Sequence, residues 1–387
     1  MRKIKYLDGL RGFAAFQVVF HHFVLAFYPA LFSGPGIPTH LADGLEVSLS
    51  GSILNLLWDG NFAVCIFFVL SGFVLSHKFF VKKENEIVTA SAVKRYFRLA
   101  LPVAFSVFVA YVFMRLSFFR NEPAGIISGS GWFLSIWNFK PDFWDCLNQG
   151  FIGAFFQGTF EYNKLLWTIA YEFLGSFLVF SFLAIFGKAK NRSLAYAFLI
   201  LVFFQTYYLA FILGMLLSDL TANEKKLLAK FKRQKIWQVV FLVLGLLLGS
   251  YPIGRDPQGT IYAFANLSWL GAEPAVFYHV MGSFLLMIVL LESKRMQNFF
   301  ARKTFLFLGE ISFTMYLLHF IIMGSFSSFV FLKLQPIMSY HFAVALSLLA
   351  SLPVIIFVSY VAHIYVDKKS VNFSHFVYEK FFRRDED

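Results

Sequence analysis

Arg11 and His22 are residues whose types and spacing point to chemistry. Both lie in the run "YLDGLRGFAAFQVVFHHFVLAF", from Tyr6 to Phe27. Eleven residues make about three helical turns, so the two side chains fall within roughly 20° of one helix face and about 16 Å apart along it. The neighbouring His21 is turned about 80° from that face. If the helix starts at the inner edge of a membrane, His22 reaches the middle of the hydrocarbon, where an ionisable group is costly and marks function by default. An imidazole titrates near neutrality, so it can take a proton from a hydroxyl there. For His21 the plainer reading, a ring satisfied by nearby backbone, is preferred.

Arg95 and Arg98, in "KRYFRLALP", are three residues apart and share a helix face. With Arg11 they set three guanidiniums at one depth, a forked donor set suited to phosphate. The competing reading is topological, since basic residues collect at the cytoplasmic edge of spans. Glu172, in "LLWTIAYEF", is an acid inside a later apolar run. If that span starts outside near Leu165, Glu172 lies about 10 Å below the outer surface and within a few Å of the depth of His22. A pair is therefore expected, with the carboxylate orienting the imidazole. Ser71, in "LSGF", is a further contact to consider, although close helix packing through Ser71-Gly72 is the simpler role. His319 in "GEISFTMYLLHF" falls near mid-span, and His279 and His363 nearer span ends, where structural roles are assumed. No cluster has metal-ligand spacing, and neither a P-loop nor a Rossmann glycine pattern is present. "HHFVLA" lacks the acid five residues on that a soluble H-x4-D acyltransferase carries.

The elements that must position these residues are membrane spans. Of the 387 residues, 58% are hydrophobic and only 14% charged, with 54 Phe; mean hydropathy is +0.66. Soluble domains are about a quarter charged, so the expected fold is an all-α polytopic transmembrane bundle. Spans are predicted near 12–31, 60–79, 97–117, 165–187, 193–206, 207–219, 236–251, 275–292, 306–331 and 340–366. The pair 193–219 is read as two short helices, because only then do the later loops alternate sides. Of the 34 Lys and Arg, all but Arg115, Arg120, Lys140, Lys164, Arg255 and Lys333 fall on one side of these ten spans. That side is cytoplasmic and holds both termini. The net charge of +12 thus reflects orientation and not nucleic acid. "MRKIK" resembles the start of a signal peptide, but Asp8, Arg11 and the missing A-x-A site favour a retained first span. The outer loop 118–164, with Trp132, Trp137 and Trp144, is expected to form interfacial helices or a cap. Cys65 and Cys146 are read as packing residues.

Five blocks in order carry a family resemblance: "YLDGLRGFAAFQVVFHHF", "FFVLSGFVLS", "KRYFRLALP", "LLWTIAYEF" and "LGEISFTMYLLHF". The chain resembles the integral-membrane acyltransferase-3 family, which includes bacterial O-antigen, exopolysaccharide and Nod-factor O-acetyltransferases. The resemblance implies an O-acyltransferase of a bacterial cytoplasmic membrane that moves an acyl group, commonly acetyl, from cytoplasmic acyl-CoA to an extracytoplasmic sugar hydroxyl. On it, Arg11 and His22 match the family's R-x10-H, Arg95 and Arg98 its R-x-x-R, and Glu172 the acid that follows a tryptophan, here Trp167. The catalytic pair is then His22 and Glu172, with Arg11, Arg95 and Arg98 on the CoA phosphates. No metal or nucleic acid is called for, the acceptor is an envelope glycan or lipid-linked saccharide, and a homo-oligomer is left open. The expected layout is a transmembrane domain over 1–370 and a short cytoplasmic tail, 371–387, without the C-terminal esterase-like domain of some relatives. Rival readings are a proton-coupled transporter or flippase, which intramembrane His and Glu also fit, and a membrane sensor or scaffold. Helix phase predicts unlike roles for the two histidines. His22→Ala abolishes acyl transfer to the target glycan while His21→Ala retains much of it, and equal loss in both at normal expression would refute it.

Overall fold

A computed structural model describes residues 4–223, 235–265 and 274–383. Most of the basic segment 220–235, part of the outer segment 252–274 and the last four residues lie outside that description. The described chain is helical, without strands. Seven helices are long and apolar enough to cross a membrane. Three shorter apolar helices complete the ten expected positions. In chain order they are α1 (Lys5–Phe27), α2 (Gly60–Lys82), α3 (Asn85–Arg115), α4 (Trp167–Phe186), α5 (Arg192–Val202), α6 (Tyr208–Asn223), α7 (Lys235–Gly249), α8 (Pro274–Glu292), α9 (Lys303–Ile322) and α10 (Tyr340–Ala362). The segment 193–219 does divide in two, as α5 and α6. The expected tail is not a loose extension: its first part lies within α11 (Lys368–Phe381), which follows α10 after one π-helical turn and packs on α3.

Lipid offers no hydrophobic drive between helices, so close backbone contact holds the bundle. Small residues permit it. A Cβ on Gly12 would meet Gly309 N at 2.3 Å, and one on Gly309 would meet Asp8 O at 2.1 Å. The charge-derived orientation makes α1 and α9 parallel, both running outward, and this contact sets their register. The α2–α6 contact is built alike, with Gly72 against the Phe211 backbone and Gly214 against Val69.

Polar backbone inside the bundle is answered by specific side chains. Asp59 caps α2 by accepting from Phe62 N at 2.7 Å. Pro102 within α3 has no N–H to give the carbonyl of Arg98, four residues back. Ser370 of α11 supplies the missing donor, 2.7 Å from Arg98 O and 2.9 Å from Phe97 O. Helix α11 therefore clasps the R-x-x-R segment itself.

On the outer side, the 118–164 loop does form short helices, Asn121–Ser128, Gly131–Leu134 and Phe143–Asn148. They sit over the outer ends of α1 and α9. Ser130 Oγ donates to Leu25 O at 2.8 Å, and Arg120 N to Gly324 O at 2.7 Å. The segment after them dives into the bundle: Tyr162, Asn163 and Leu166 are fully buried, and Asn163 Nδ2 donates to Leu317 O in α9 at 2.9 Å. Backbone that is not helical survives at that depth only when protein surrounds it.

If the glycine contact sets the α1–α9 register, even a methyl group at Gly309 should be costly. Gly309→Ala is expected to destabilise the detergent-solubilised protein by about 1–3 kcal/mol. Gly131→Ala, where a Cβ meets nothing within 4 Å, should stay within about 0.5 kcal/mol. Thermal unfolding of the two variants checks the difference, and equal stability would discount the contact.

Candidate active site

The Gly12–Gly309 contact decides what faces His22. Ten residues separate Gly12 from His22 and Gly309 from His319, so parallel helices in register bring the two imidazoles level. His319 Nε2 is 3.1 Å from His22 Nδ1, and the ring centroids are 5.1 Å apart. His22 Nδ1 also lies 2.8 Å from Val18 O, one turn back on its own helix. Trp132 of the outer cap stacks on His22 at 5.7 Å and Phe320 packs beside it at 5.6 Å. His22 is 8% exposed and His319 fully buried.

His21 points elsewhere, as the helix phase requires. Its Nδ1 donates to Trp58 O at 2.7 Å, and its ring fills the space beside Gly60 at the start of α2. Gln17, one turn below, donates to Leu56 O and Asp59 O at 2.7 and 3.1 Å. These two side chains hold the loop that precedes α2.

Glu172 does not meet His22, and the reason is depth. The expected pairing assumed that span four starts at the outer surface. The buried segment before it instead carries α4 inward. Leu165 O accepts from the Tyr316 hydroxyl at 3.1 Å, and Thr168 Oγ1 lies 2.7 Å from the same hydroxyl. Tyr316 is nearly one turn to the cytoplasmic side of His319, and Glu172 one turn beyond Thr168. Glu172 therefore lies roughly 10 Å inward of the His22–His319 level. There it forms an ion pair with Arg95 and accepts from Ser71 Oγ at 2.7 Å. Ser71 thus serves Glu172, while its neighbour Gly72 makes the helix contact with Phe211.

The three arginines do gather, in unlike states. Arg95 is buried, one guanidinium arm is committed to Glu172, and its Nε has no acceptor among the described residues. Arg11 pairs with Asp8 at 3.2 Å and is part-exposed. Arg98 keeps accessible surface within crowded surroundings, and its guanidinium makes no hydrogen bond or ion pair among the described residues. Its charged neighbours are Arg95, Arg11, Asp367 and Glu172. Beside them His363 bridges Asp367 at 2.8 Å and Glu310 at 3.3 Å. His279 is buried among Asn61, Tyr251 O and Asp59 near the outer end of α2. Among the described residues no group of three or more His, Cys, Asp or Glu is placed to hold a metal.

The site thus has two levels: an imidazole pair under an aromatic roof, and a basic cluster roughly 10 to 16 Å below it. Sequence reasoning undervalued His319, although a signal for it exists: the glycine-to-histidine step of ten residues occurs in both spans.

An acyltransferase-domain family model (Acyl_transf_3) matches residues 4–363, and the chain belongs to that family of membrane acyltransferases. It is 23% identical to O-acetyltransferase PaAT-1 of Phomopsis amygdali, over 100% of this chain and 86% of that protein. It is 26% identical to acyltransferase clz18 of Cochliobolus lunatus, over 84% of each chain. No solved structure matches. The chain is a multi-pass membrane O-acyltransferase, and the transport and scaffold readings fall away.

The Arg95–Glu172 pair should matter first for stability. Removing one partner of a buried ion pair leaves a bare charge, so Glu172→Ala is expected to cost about 3–5 kcal/mol. Replacing both residues with leucine should recover most of that loss. Denaturant unfolding in detergent compares the two, and a double variant no better than the single would show that the pairing is not what holds Arg95.

Proposed function

We propose that the protein transfers an acetyl group from cytoplasmic acetyl-CoA to a hydroxyl of an extracytoplasmic carbohydrate, with His22 as general base. The observation that carries this reading is His22 Nε2. It is free of hydrogen bonds among the described residues and stands on the helix face that leads down to Arg11 and the other arginines. A phosphate-bearing donor fits the lower level. Arg98 offers an uncommitted guanidinium, Arg11 a part-exposed one, and the buried Arg95 Nε an unused donor. The long arm of CoA would then carry the thioester upward between helices. A carbohydrate fits the upper level, where Trp132 offers an aromatic surface of the kind that covers sugar rings.

The step balances on one imidazole. His22 Nε2 takes the proton of the acceptor hydroxyl as its oxygen attacks the thioester carbonyl. The C–S bond then breaks, and the departing thiolate of CoA takes the proton back from His22. Glu172 has no direct part in this step, and its work is to aim Arg95 through their ion pair. Support for acetyl as the group comes from the relative named an O-acetyltransferase. The acceptor class, an O-antigen, exopolysaccharide or lipid-linked saccharide at a bacterial cytoplasmic membrane, follows the sequence resemblance. The curated relatives are fungal, so a small hydroxylated molecule is the competing acceptor.

The test uses radiolabelled acetyl-CoA with the purified protein in proteoliposomes and envelope glycan as acceptor. Label is expected in the glycan. Arg98→Ala should raise KM for acetyl-CoA about tenfold or more, the loss of one charge-assisted hydrogen bond to phosphate. Label that never leaves CoA would overturn the reading, and an unchanged KM would remove Arg98 from donor binding.

A further inference from the structure

Two imidazoles in contact have four ring nitrogens, and the surrounding carbonyls decide where the protons sit. Met315 O lies 2.8 Å from His319 Nδ1, and Val18 O lies 2.8 Å from His22 Nδ1. A carbonyl oxygen only accepts, so both Nδ1 atoms carry a proton. A neutral imidazole has one N–H, which leaves His319 Nε2 bare. It faces His22 Nδ1 at 3.1 Å. His22 therefore donates one N–H to two acceptors, Val18 O and His319 Nε2. Its own Nε2 is left with a lone pair.

We infer that His319 is a positioning residue for His22. It accepts from His22 Nδ1–H, holds the ring with Nε2 toward the acceptor hydroxyl, and steadies the positive charge that appears when Nε2 gains a proton. The inference rests on the reading of His22 as general base. In a serine-protease triad a carboxylate fills this place. Here no carboxylate is hydrogen-bonded to either ring among the described residues. A neutral acceptor has one advantage at this depth. It supports the transient imidazolium without leaving a buried negative charge in the resting site, where an unpaired charge is costly. The glycine contact fixes the partnership: slipping α9 by one residue would turn His319 by 100° and shift it 1.5 Å along the axis.

The test compares His319→Leu, which fills the space without an acceptor, with His319→Gln, whose amide oxygen can stand near the position of Nε2. In the acetyl-transfer assay His319→Leu is expected to lower kcat about ten- to hundredfold with KM for acetyl-CoA within about twofold. His319→Gln should return to within about fivefold of the parent rate, because it restores the acceptor. Independently of activity, the nitrogen NMR spectrum of 15N-histidine-labelled protein in micelles should show His22, identified as the signals lost in His22→Gln, with Nδ1 protonated and Nε2 bare. A His22 protonated on Nε2, a fully active His319→Leu, or a His319→Gln as slow as His319→Leu at equal thermal stability would each overturn the inference. A fully active His22→Gln would instead overturn the base assignment beneath it, while the spectrum would still decide the contact between the rings.

Discussion

The approach of α1 to α9 at Gly12 and Gly309 is the contact on which the site depends. With any side chain at either position the helices would stand further apart, and the rings of His22 and His319 ten residues higher would lose hydrogen-bond distance. The same contact lets Asp8 O pass against Gly309 and sets the base of α1, with Arg11, beside the α9 end that carries Glu310. One backbone approach thus places both levels, the imidazole pair above and the charged cluster below.

A second constraint is that nothing polar can be left bare in hydrocarbon. Arg95, Glu172 and His21 each have a partner, although Arg95 Nε has none among the described residues. Arg95 has Glu172, Glu172 has Ser71 as well, and His21 has Trp58 O. The Arg98 carbonyl freed by Pro102 is met by Ser370. These answers come from distant parts of the chain, so the polar network also ties α3, α4 and α11 together where packing alone would be weak. Arg98 is the contrast. Its carbonyl is held from behind while its guanidinium stays uncommitted, the state a ligand-binding cation needs.

The spans and the separation of His21 from His22 were legible because they follow from hydropathy and a 100° turn per residue. Even the break between α5 and α6 was readable from the order of the loops. The depth of Glu172 was not. It hinges on Tyr162 to Leu166 entering the bundle as buried, partly irregular backbone, held by Asn163 on Leu317 O and by Tyr316 on Leu165 O. Hydropathy cannot tell such a segment from the start of a span, since Leu165 and Leu166 are apolar either way. His319 was visible as a polar residue in a span, but its value lies in a register that depends on a contact 297 residues apart in sequence.

On the proposed reading the two levels divide the labour of acyl transfer, donor recognition below and proton transfer above. On that reading the donor's charge is met at the lower level, by Arg98 and the part-exposed Arg11. On the same reading, proton transfer falls where Trp132 and Phe320 flank His22, and a bare Nε2 passes the proton from alcohol to thiolate. Roughly 16 Å of α1 separates them, and the rise is bridged by neither a carboxylate relay nor a metal among the described residues. A donor with a charged head and a long neutral arm spans such a gap without moving the protein's charges. On this argument the structure needs Glu172 low, beside Arg95, and a neutral partner high, beside His22. An acid at the upper level would put a second buried charge in the path of the thioester.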